Sequence, residues 1–253
     1  MEQPRPQEFD FHTHSERGLY PDSVAYSPDE LVRWAAEIEG LDGIALTDHD
    51  SYRGLQNALT AAEEHGIILI PGVEITCGPS MRHPRFPHIV ALLPQEEALK
   101  LRKHGERLPI LGQPAHVLQW IQDHGGAAIA AHPRPQQAYH ALSPKQIERF
   151  SSLLDGIETY NRFGQNKAAI NMAQQFGLAS IGSSDAHRLE EVGLVRTRIF
   201  RECHDELDVI AAIKAGQTQG FIAQEIPPEL RRNRPFLGIL KGWDDNQGVP
   251  PGA

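Results

Sequence analysis

The chain has 253 residues, of which 40% are hydrophobic and 23% are charged, as in an ordinary folded domain rather than a disordered or fibrous protein. This length suits one large α/β domain or two small ones. The formal net charge of −9 argues against an extended nucleic-acid-binding surface, because such a surface needs a basic face.

The two cysteines, Cys77 and Cys203, exclude a disulfide framework and a cysteine-rich zinc module. No apolar run approaches the roughly 18 residues that span a bilayer, so no membrane partner is expected. The first residues lack the basic and apolar pattern of a signal peptide. These features together predict a cytoplasmic protein.

Short apolar runs alternate with helical patterns along most of the chain. The runs predict strands at residues 9–12, 43–47, 66–74, 88–93, 127–131, 156–160 and 179–183. Ser27 and Ser143 each begin a capping box with proline at the first helical position, so both mark helix starts. Several glycines stand where helices should end: Gly40, Gly66, Gly125, Gly177 and Gly216.

The alternation of strands and helices predicts a parallel sheet that is either doubly wound or closed into a barrel. No break in composition divides this region, so we expect one domain over residues 8–226. The proline-rich and arginine-rich residues 227–253 predict an extended or partly disordered tail.

Histidine, acidic and amide side chains recur where the predicted strands end. These residues are His12, His14, Asp48, His49, Glu74, His132, Glu158, Asn161, Asp185 and His187. His88 instead begins its strand, which fits a strand that runs antiparallel to residues 66–74. The carboxyl ends of strands meet on one face of a closed barrel, whereas an open sheet would spread them along an edge. The recurrence therefore favours the barrel.

These residue types predict a site for divalent metal ions. Imidazole and carboxylate groups without thiolate suit Zn²⁺, Mn²⁺ or Fe. In His12-x-His14 both side chains point to the same side of an extended segment, and Asp185-x-His187 repeats that geometry. The number of such groups exceeds the four that one tetrahedral ion accepts, so at least two ions are implied, with a carboxylate such as Glu74 or Asp185 bridging them. Histidines elsewhere, such as His140, are interpreted as ordinary polar residues.

Five motifs in order, DFHTHS, TDHD, GVEI, AHP and GSSDAH, resemble the polymerase and histidinol phosphatase (PHP) family of metal-dependent phosphoesterases. The resemblance runs from Phe9 to His187. It implies a distorted (β/α)7 TIM-like barrel of the PHP type. It also implies two or three divalent ions, Mn, Zn or Fe, on one face of that barrel.

The same resemblance implies how the ions are held. One ion would be bound by His12, His14, Glu74 and Asp185. A second would share Glu74 and add His88 and His132. A third would be bound by His49, His187 and Asp22, which stands where the family supplies a further ligand. Glu16 is the alternative to Asp22.

The resemblance implies hydrolysis of a phosphomonoester or a small phosphodiester by a hydroxide that bridges two ions. Arginines follow most ligand motifs, and we predict that Arg134 and Arg162 contact the phosphate, because guanidinium groups match its geometry. Asp48 is predicted to orient a neighbouring histidine.

The expected substrate is a small phosphorylated molecule, with a nucleotide or a short oligonucleotide as an option. The short segment of residues 94–125 lacks the sizeable helical insertion that some nucleotide-specific relatives carry.

Two other interpretations compete with this one. Amidohydrolases and TatD-like nucleases also begin with His-x-His on a barrel strand, but they do not call for TDHD or for a final Asp-x-His pair. A non-catalytic PHP module that serves as a scaffold would be expected to lose ligands, and here only the position of Asp22 is unclear.

Overall fold

The computed structural model describes residues 5–19, 24–78, 86–104, 108–133 and 140–225. Ten strands lie in these ranges: β1 Gln7–Thr13, β2 Gly43–Leu46, β3 Ile68–Thr76, β4 His88–Leu92, β5 Ala127–Ala130, β6 Gly156–Asn161, β7 Gly164–Gln165, β8 Ala179–Gly182, β9 Val195–Ile199 and β10 Thr218–Ile222. The predicted tail, residues 227–253, lies outside the described residues.

Seven α-helices connect these strands: α1 Pro28–Arg33, α2 Leu55–His65, α3 Gln95–His104, α4 Pro114–Asp123, α5 Pro144–Phe150, α6 Lys167–Phe176 and α7 Glu206–Lys214. The capping boxes at Ser27 and Ser143 are both present. Gly66 ends α2 in the left-handed conformation, with φ of 66°. It therefore belongs to the helix end, and β3 begins two residues later than predicted. Within the described ranges, no helix is long and apolar enough to cross a bilayer.

The strands form one strongly curved sheet in the order β10-β9-β1-β2-β3-β4-β5-β6-β7, with β8 paired to β6. The strands β1, β2 and β3 run parallel, as do β5, β6 and β8. A parallel bridge between Thr13 and Ala186 joins the end of β1 to the segment after β8. The sheet therefore almost closes, which confirms the predicted distorted barrel.

The strand β4 runs antiparallel to both of its neighbours, β3 and β5. His88, its first residue, pairs with Thr76 at the end of β3. The prediction that this strand is reversed is confirmed, and the reversal places His88 at the rim where the parallel strands end. The segment that follows β4 returns to this rim, because Leu111 donates its N–H to the carbonyl of Thr76 and Gly112 accepts from Gly78.

Three strands were not predicted from the sequence: β7, β9 and β10. The strand β7 has only two residues. In β9, Arg196 and Arg198 interrupt the apolar pattern, and both pair with Glu8 in the neighbouring strand β1. A charged strand is tolerated there because its guanidinium groups are matched by acids across the sheet.

Two buried apolar clusters support this sheet. The larger cluster packs helices α1, α2, α4 and α5 against the strands through residues such as Leu31, Leu55 and Leu118. The second joins β1, β3, β4 and β5 to α7 and includes Phe9, Phe11, Ile70, Val90 and Ile213. Packing from both sides fixes the strands, so the side chains at their carboxyl ends are held in defined positions.

Candidate metal centre

Eight predicted ligands meet at the rim of the barrel. His12 and His14 lie at the end of β1, Glu74 in β3 and His88 at the start of β4, while His49, His132, Asp185 and His187 follow β2, β5 and β8. All are buried except His187, which is partly exposed. Residues far apart in the chain thus share one pit, as the sequence analysis required. Their assignment as ligands stays a prediction.

Glu74 lies at the centre of this group, and its carboxylate contacts five imidazole rings. Its Oε2 lies 3.1 Å from Nε2 of His12, 3.3 Å from Nε2 of His14 and 3.2 Å from Nδ1 of His49. Its Oε1 lies 2.8 Å from Nδ1 of His88 and 2.9 Å from Nε2 of His132. The two oxygens therefore face two different sets of rings, so one carboxylate belongs to both sets of candidate ligand atoms.

The structure brings three sets of candidate ligand atoms together, and within each set the atoms all lie within 4.8 Å of one another. The first consists of His12, His14, Glu74 and Asp185, the same four residues that the resemblance implies for one ion. The second consists of His49, Glu74 and His88, with His132 contacting Glu74 from beside it. The third consists of His14, His49 and His187. For the third ion, the resemblance implies His49 and His187 but not His14.

The donor atoms fit divalent metal ions. The Nε2 of His12 and both ring nitrogens of His14 are buried and make no hydrogen bond within the described part of the chain. A buried nitrogen without a partner is costly, and a cation among these nitrogens and carboxylate oxygens would satisfy them. The set contains imidazole and carboxylate without thiolate, which suits Zn²⁺, Mn²⁺ or Fe.

The electrostatics of the pit keep Glu74 and His14 in the forms that bind metal. Burial would raise the pKa of Glu74, but the imidazole groups of His12, His49 and His88 hold it well below its usual value. Burial, together with the charge of His187, lowers the pKa of His14 to about 3. Glu74 is therefore ionised and His14 neutral at pH 7, and metal ligands must be in these forms.

Two of the predicted ligand residues have left-handed backbones. His132 has φ of 29° and Asp185 has φ of 53°, values that are strained for residues with a side chain. Strain of this kind persists only where surrounding contacts impose it, and it concentrates at functional sites. The main chain at His132 donates to Glu158, and the carbonyl of Asp185 accepts from Arg162.

Arg162, a predicted phosphate contact, lies against Asp185. Its Nη2 is 3.3 Å from Oδ2 of Asp185, its Nη1 is 3.9 Å from Oε2 of Glu191, and its guanidinium group lies over the ring of Phe163. Its contact with a phosphate stays a prediction. The other predicted contact, Arg134, lies outside the described residues.

The extra ligand of the third ion also stays a prediction, because Asp22 lies outside the described residues. Its alternative, Glu16, is exposed, and its Oε1 lies 3.3 Å from Nε of Arg17. Asp48, for which an orienting role is predicted, accepts hydrogen bonds from the main chain and hydroxyl of Ser15, the residue after His14.

Two residues lie at the site for which the sequence predicted no specific role. Glu158, in β6, bonds the ring of His12. The ring of His140 lies 5.3 Å from that of His88 and 4.4 Å from that of Phe86. Burial, with the charge of His88, lowers the pKa of His140 to about 3. The signal for Glu158 was its place beside the other ligand-type residues at a strand end, whereas His140 follows no strand and gave none.

The fold and the site together define the class of this protein. It is a nearly closed α/β barrel that carries a candidate metal centre of buried histidines and carboxylates at its rim. Residues 10–142 match the family model described as the PHP domain, and residues 163–218 match the model described as PHP-associated. The chain belongs to the PHP family.

The curated relatives include a 5'-3' exoribonuclease of Haemophilus influenzae, which is 32% identical over 178 residues. The match takes in 66% of this chain but only 60% of the exoribonuclease.

Two solved structures share the fold. One is a two-domain protein of Bacteroides vulgatus that contains a predicted PHP-like metal-dependent phosphoesterase, with a TM-score of 0.67 and 21% identity over 86% of this chain and 65% of that one. The other is a candidate metal-dependent phosphoesterase of Bifidobacterium adolescentis, with a TM-score of 0.55 and 22% identity over 74% of this chain and 90% of that one. At these identities the structures establish the fold alone.

Proposed function

We propose that the chain is a metal-dependent phosphoesterase that hydrolyses a phosphomonoester or a small phosphodiester. The observation that carries this proposal is the position of Glu74, whose two carboxylate oxygens each contact a separate set of imidazole rings. Membership of the PHP family and the two structural neighbours support a hydrolase of this class.

The pit would hold two or three divalent ions, Mn, Zn or Fe. The first would be bound by His12, His14, Glu74 and Asp185, the second by Glu74, His88 and His132, and the third by His49 and His187 with Asp22. When bound, such ions would supply positive charge near the phosphoryl oxygens and lower the pKa of a water enough for it to act as a nucleophile at neutral pH.

The chain's own residues supply position and charge. Glu74 and Asp185 stay ionised because imidazole groups, and for Asp185 also Arg162, outweigh the effect of burial on each pKa. We further propose that Arg134 and Arg162 contact the substrate phosphate. Support for Arg162 comes from its position beside Asp185 and from its Nε, a buried donor that makes no hydrogen bond within the described part of the chain.

The substrate is proposed to be a small phosphorylated molecule, and a nucleotide or a short oligonucleotide is included. The name of the Haemophilus influenzae relative, an exoribonuclease, supports the inclusion of short RNA. The net charge of −9 disfavours a long nucleic acid, because an extended nucleic-acid-binding surface needs a basic face.

The test is an assay of metal-depleted protein reloaded with Mn²⁺, Zn²⁺ or Fe²⁺ in turn. Each form is incubated with nucleoside monophosphates, histidinol phosphate, cyclic phosphates and short oligoribonucleotides, and released phosphate or nucleotide is measured. Metal-dependent release from at least one of them is expected. A chain that binds the ions and hydrolyses none of these compounds would instead be a non-catalytic module.

A further inference from the structure

Glu158 is a buried carboxylate that contacts two of the candidate ligand residues at once. It lies in β6 with 1% of its surface exposed. Its Oε1 lies 2.7 Å from Nδ1 of His12 and accepts a hydrogen bond of 2.8 Å from the hydroxyl of Ser183. Its Oε2 accepts a hydrogen bond of 2.8 Å from the main-chain N–H of His132. Among the described residues, His12 is its only ion-pair partner.

The contact with His12 determines which ring nitrogen carries a proton. Both oxygens of Glu158 already accept from neighbouring donors, so the carboxylate acts as an acceptor toward the ring as well. The proton of a neutral His12 ring must then lie on Nδ1, and the lone pair lies on Nε2. That nitrogen is the one that faces Glu74, at 3.1 Å, and Asp185, at 3.7 Å. The ring is therefore presented to the pit in the tautomer that binds a cation.

The contact with His132 acts on the main chain. His132 has φ of 29°, a conformation that a residue with a side chain rarely adopts unless its surroundings impose it. Its N–H is satisfied by Glu158, and its Nε2 reaches Oε1 of Glu74 at 2.9 Å. One carboxylate thus fixes a ring on one side of Glu74 and a backbone on the other.

We propose that Glu158 is a positioning residue of the metal centre, which sets the tautomer of His12 and holds the main chain of His132 so that both face Glu74. This inference rests on the metal centre of the proposed function. It assigns no ligand role to Glu158 itself.

The substitution Glu158→Gln tests the proposal with little change in volume. An amide has one acceptor oxygen, so its NH₂ group must face either the N–H of His132 or the ring of His12. In the first case two donors oppose each other, and in the second the proton of His12 moves to Nε2, where it blocks a cation. We expect the affinity for Mn²⁺, measured by calorimetric titration of the full chain, to fall about 10- to 100-fold, as for other residues that orient metal ligands.

Asp155→Asn is the matched control. Asp155 lies just before β6, at the end of the strand opposite the pit, and its Oδ2 accepts from the main-chain N–H of Ala128 and from the amide of Gln122. Its replacement should lower the melting temperature and leave the affinity for Mn²⁺ within about threefold of wild type, well below the loss expected at a metal-orienting residue. Equal losses of affinity in both variants would mean that Glu158 acts only through general stability, and this result would overturn the proposal.

A measurement on the wild-type chain keeps the proposal testable if Glu158→Gln does not fold. In the Zn²⁺-loaded protein, long-range ¹H–¹⁵N spectra should show His12 protonated at Nδ1 and bound to metal through Nε2. The opposite tautomer would overturn the proposal. Failure of the proposed function is distinguishable, because a wild-type chain that binds neither Mn²⁺ nor Zn²⁺ would contradict the metal centre itself.

Discussion

Arg162 and Asp185 are joined at two points. The Nη2 of Arg162 lies 3.3 Å from Oδ2 of Asp185, and its Nη1 donates to the main-chain carbonyl of the same residue at 3.3 Å. Asp185 has a left-handed backbone with φ of 53°, so the arginine holds both the carboxylate and the strained main chain. A side chain predicted to contact phosphate thus also has a structural link to a predicted ligand.

We expect Arg162→Ala to weaken Mn²⁺ binding about tenfold, because Asp185 would lose the partner that orients it. Loss of the predicted phosphate contact would in addition raise KM. Calorimetric titration with Mn²⁺ measures the first effect, and steady-state kinetics at saturating metal measures the second. An unchanged Mn²⁺ affinity would show that the ion pair does not position Asp185.

Arg134→Ala should act on the substrate alone. We expect KM to rise about tenfold or more, the loss typical of a hydrogen bond to a charged group, with little change in kcat or in Mn²⁺ affinity. Arg149→Ala, in α5, is a suitable control because the Arg149 guanidinium group packs on the ring of Phe150, away from the pit. A variant of Arg134 with wild-type KM would contradict the predicted contact.

Removal of a predicted ligand should abolish turnover and leave the fold intact. His132→Ala and Asp185→Ala each take a group away from the shared pit, whereas the sheet is supported by separate apolar clusters. Phosphate release measures the loss, and circular dichroism checks the fold. His116→Ala, at an exposed position in α4, should retain full activity. Turnover near the wild-type level in either ligand variant would refute the site.

Divalent metal should stabilise the protein against heat. An ion at 100 times its dissociation constant adds about 2.7 kcal/mol to the free energy of unfolding if it binds only the folded chain. For a domain of this size that corresponds to a rise in Tm of roughly 5–10 °C. Differential scanning calorimetry of metal-depleted and Mn²⁺-loaded protein measures the shift. His14→Ala should reduce it, because His14 belongs to two of the three ligand sets. An identical Tm with and without metal would contradict a buried metal centre.

The barrel and its rim were predictable because the signals were local. A histidine or an acid at the end of an apolar run marks a strand end, and parallel strand ends meet on one face. His88, at a strand start, indicated the reversed strand by the same logic. The strand β9 was not predictable, since Arg196 and Arg198 break the apolar pattern and their partner Glu8 is distant in the chain.

The support of the ligands could not be derived from the sequence. Glu158 and His12 are separated by 146 positions, and nothing local to either residue indicates their hydrogen bond. Arg162 was identified by its residue type as a phosphate contact, but its contacts with Asp185 and Glu191 depend on how the loops after β6 and β8 fold together. Candidate ligands can thus be predicted from residue type and position, whereas their orientation depends on tertiary packing.

The reversed direction of β4 also indicates where additional residues could be inserted into this barrel. The connection from β4 to β5 leaves and re-enters the sheet at the end opposite the pit, yet Leu111 and Gly112 reach back to Thr76 and Gly78 beside it. We expect residues inserted at Leu111 and Gly112 to extend beside the pit without changing strand register. This position, just before α4, is therefore a natural one for grafting a lid that selects substrates by size.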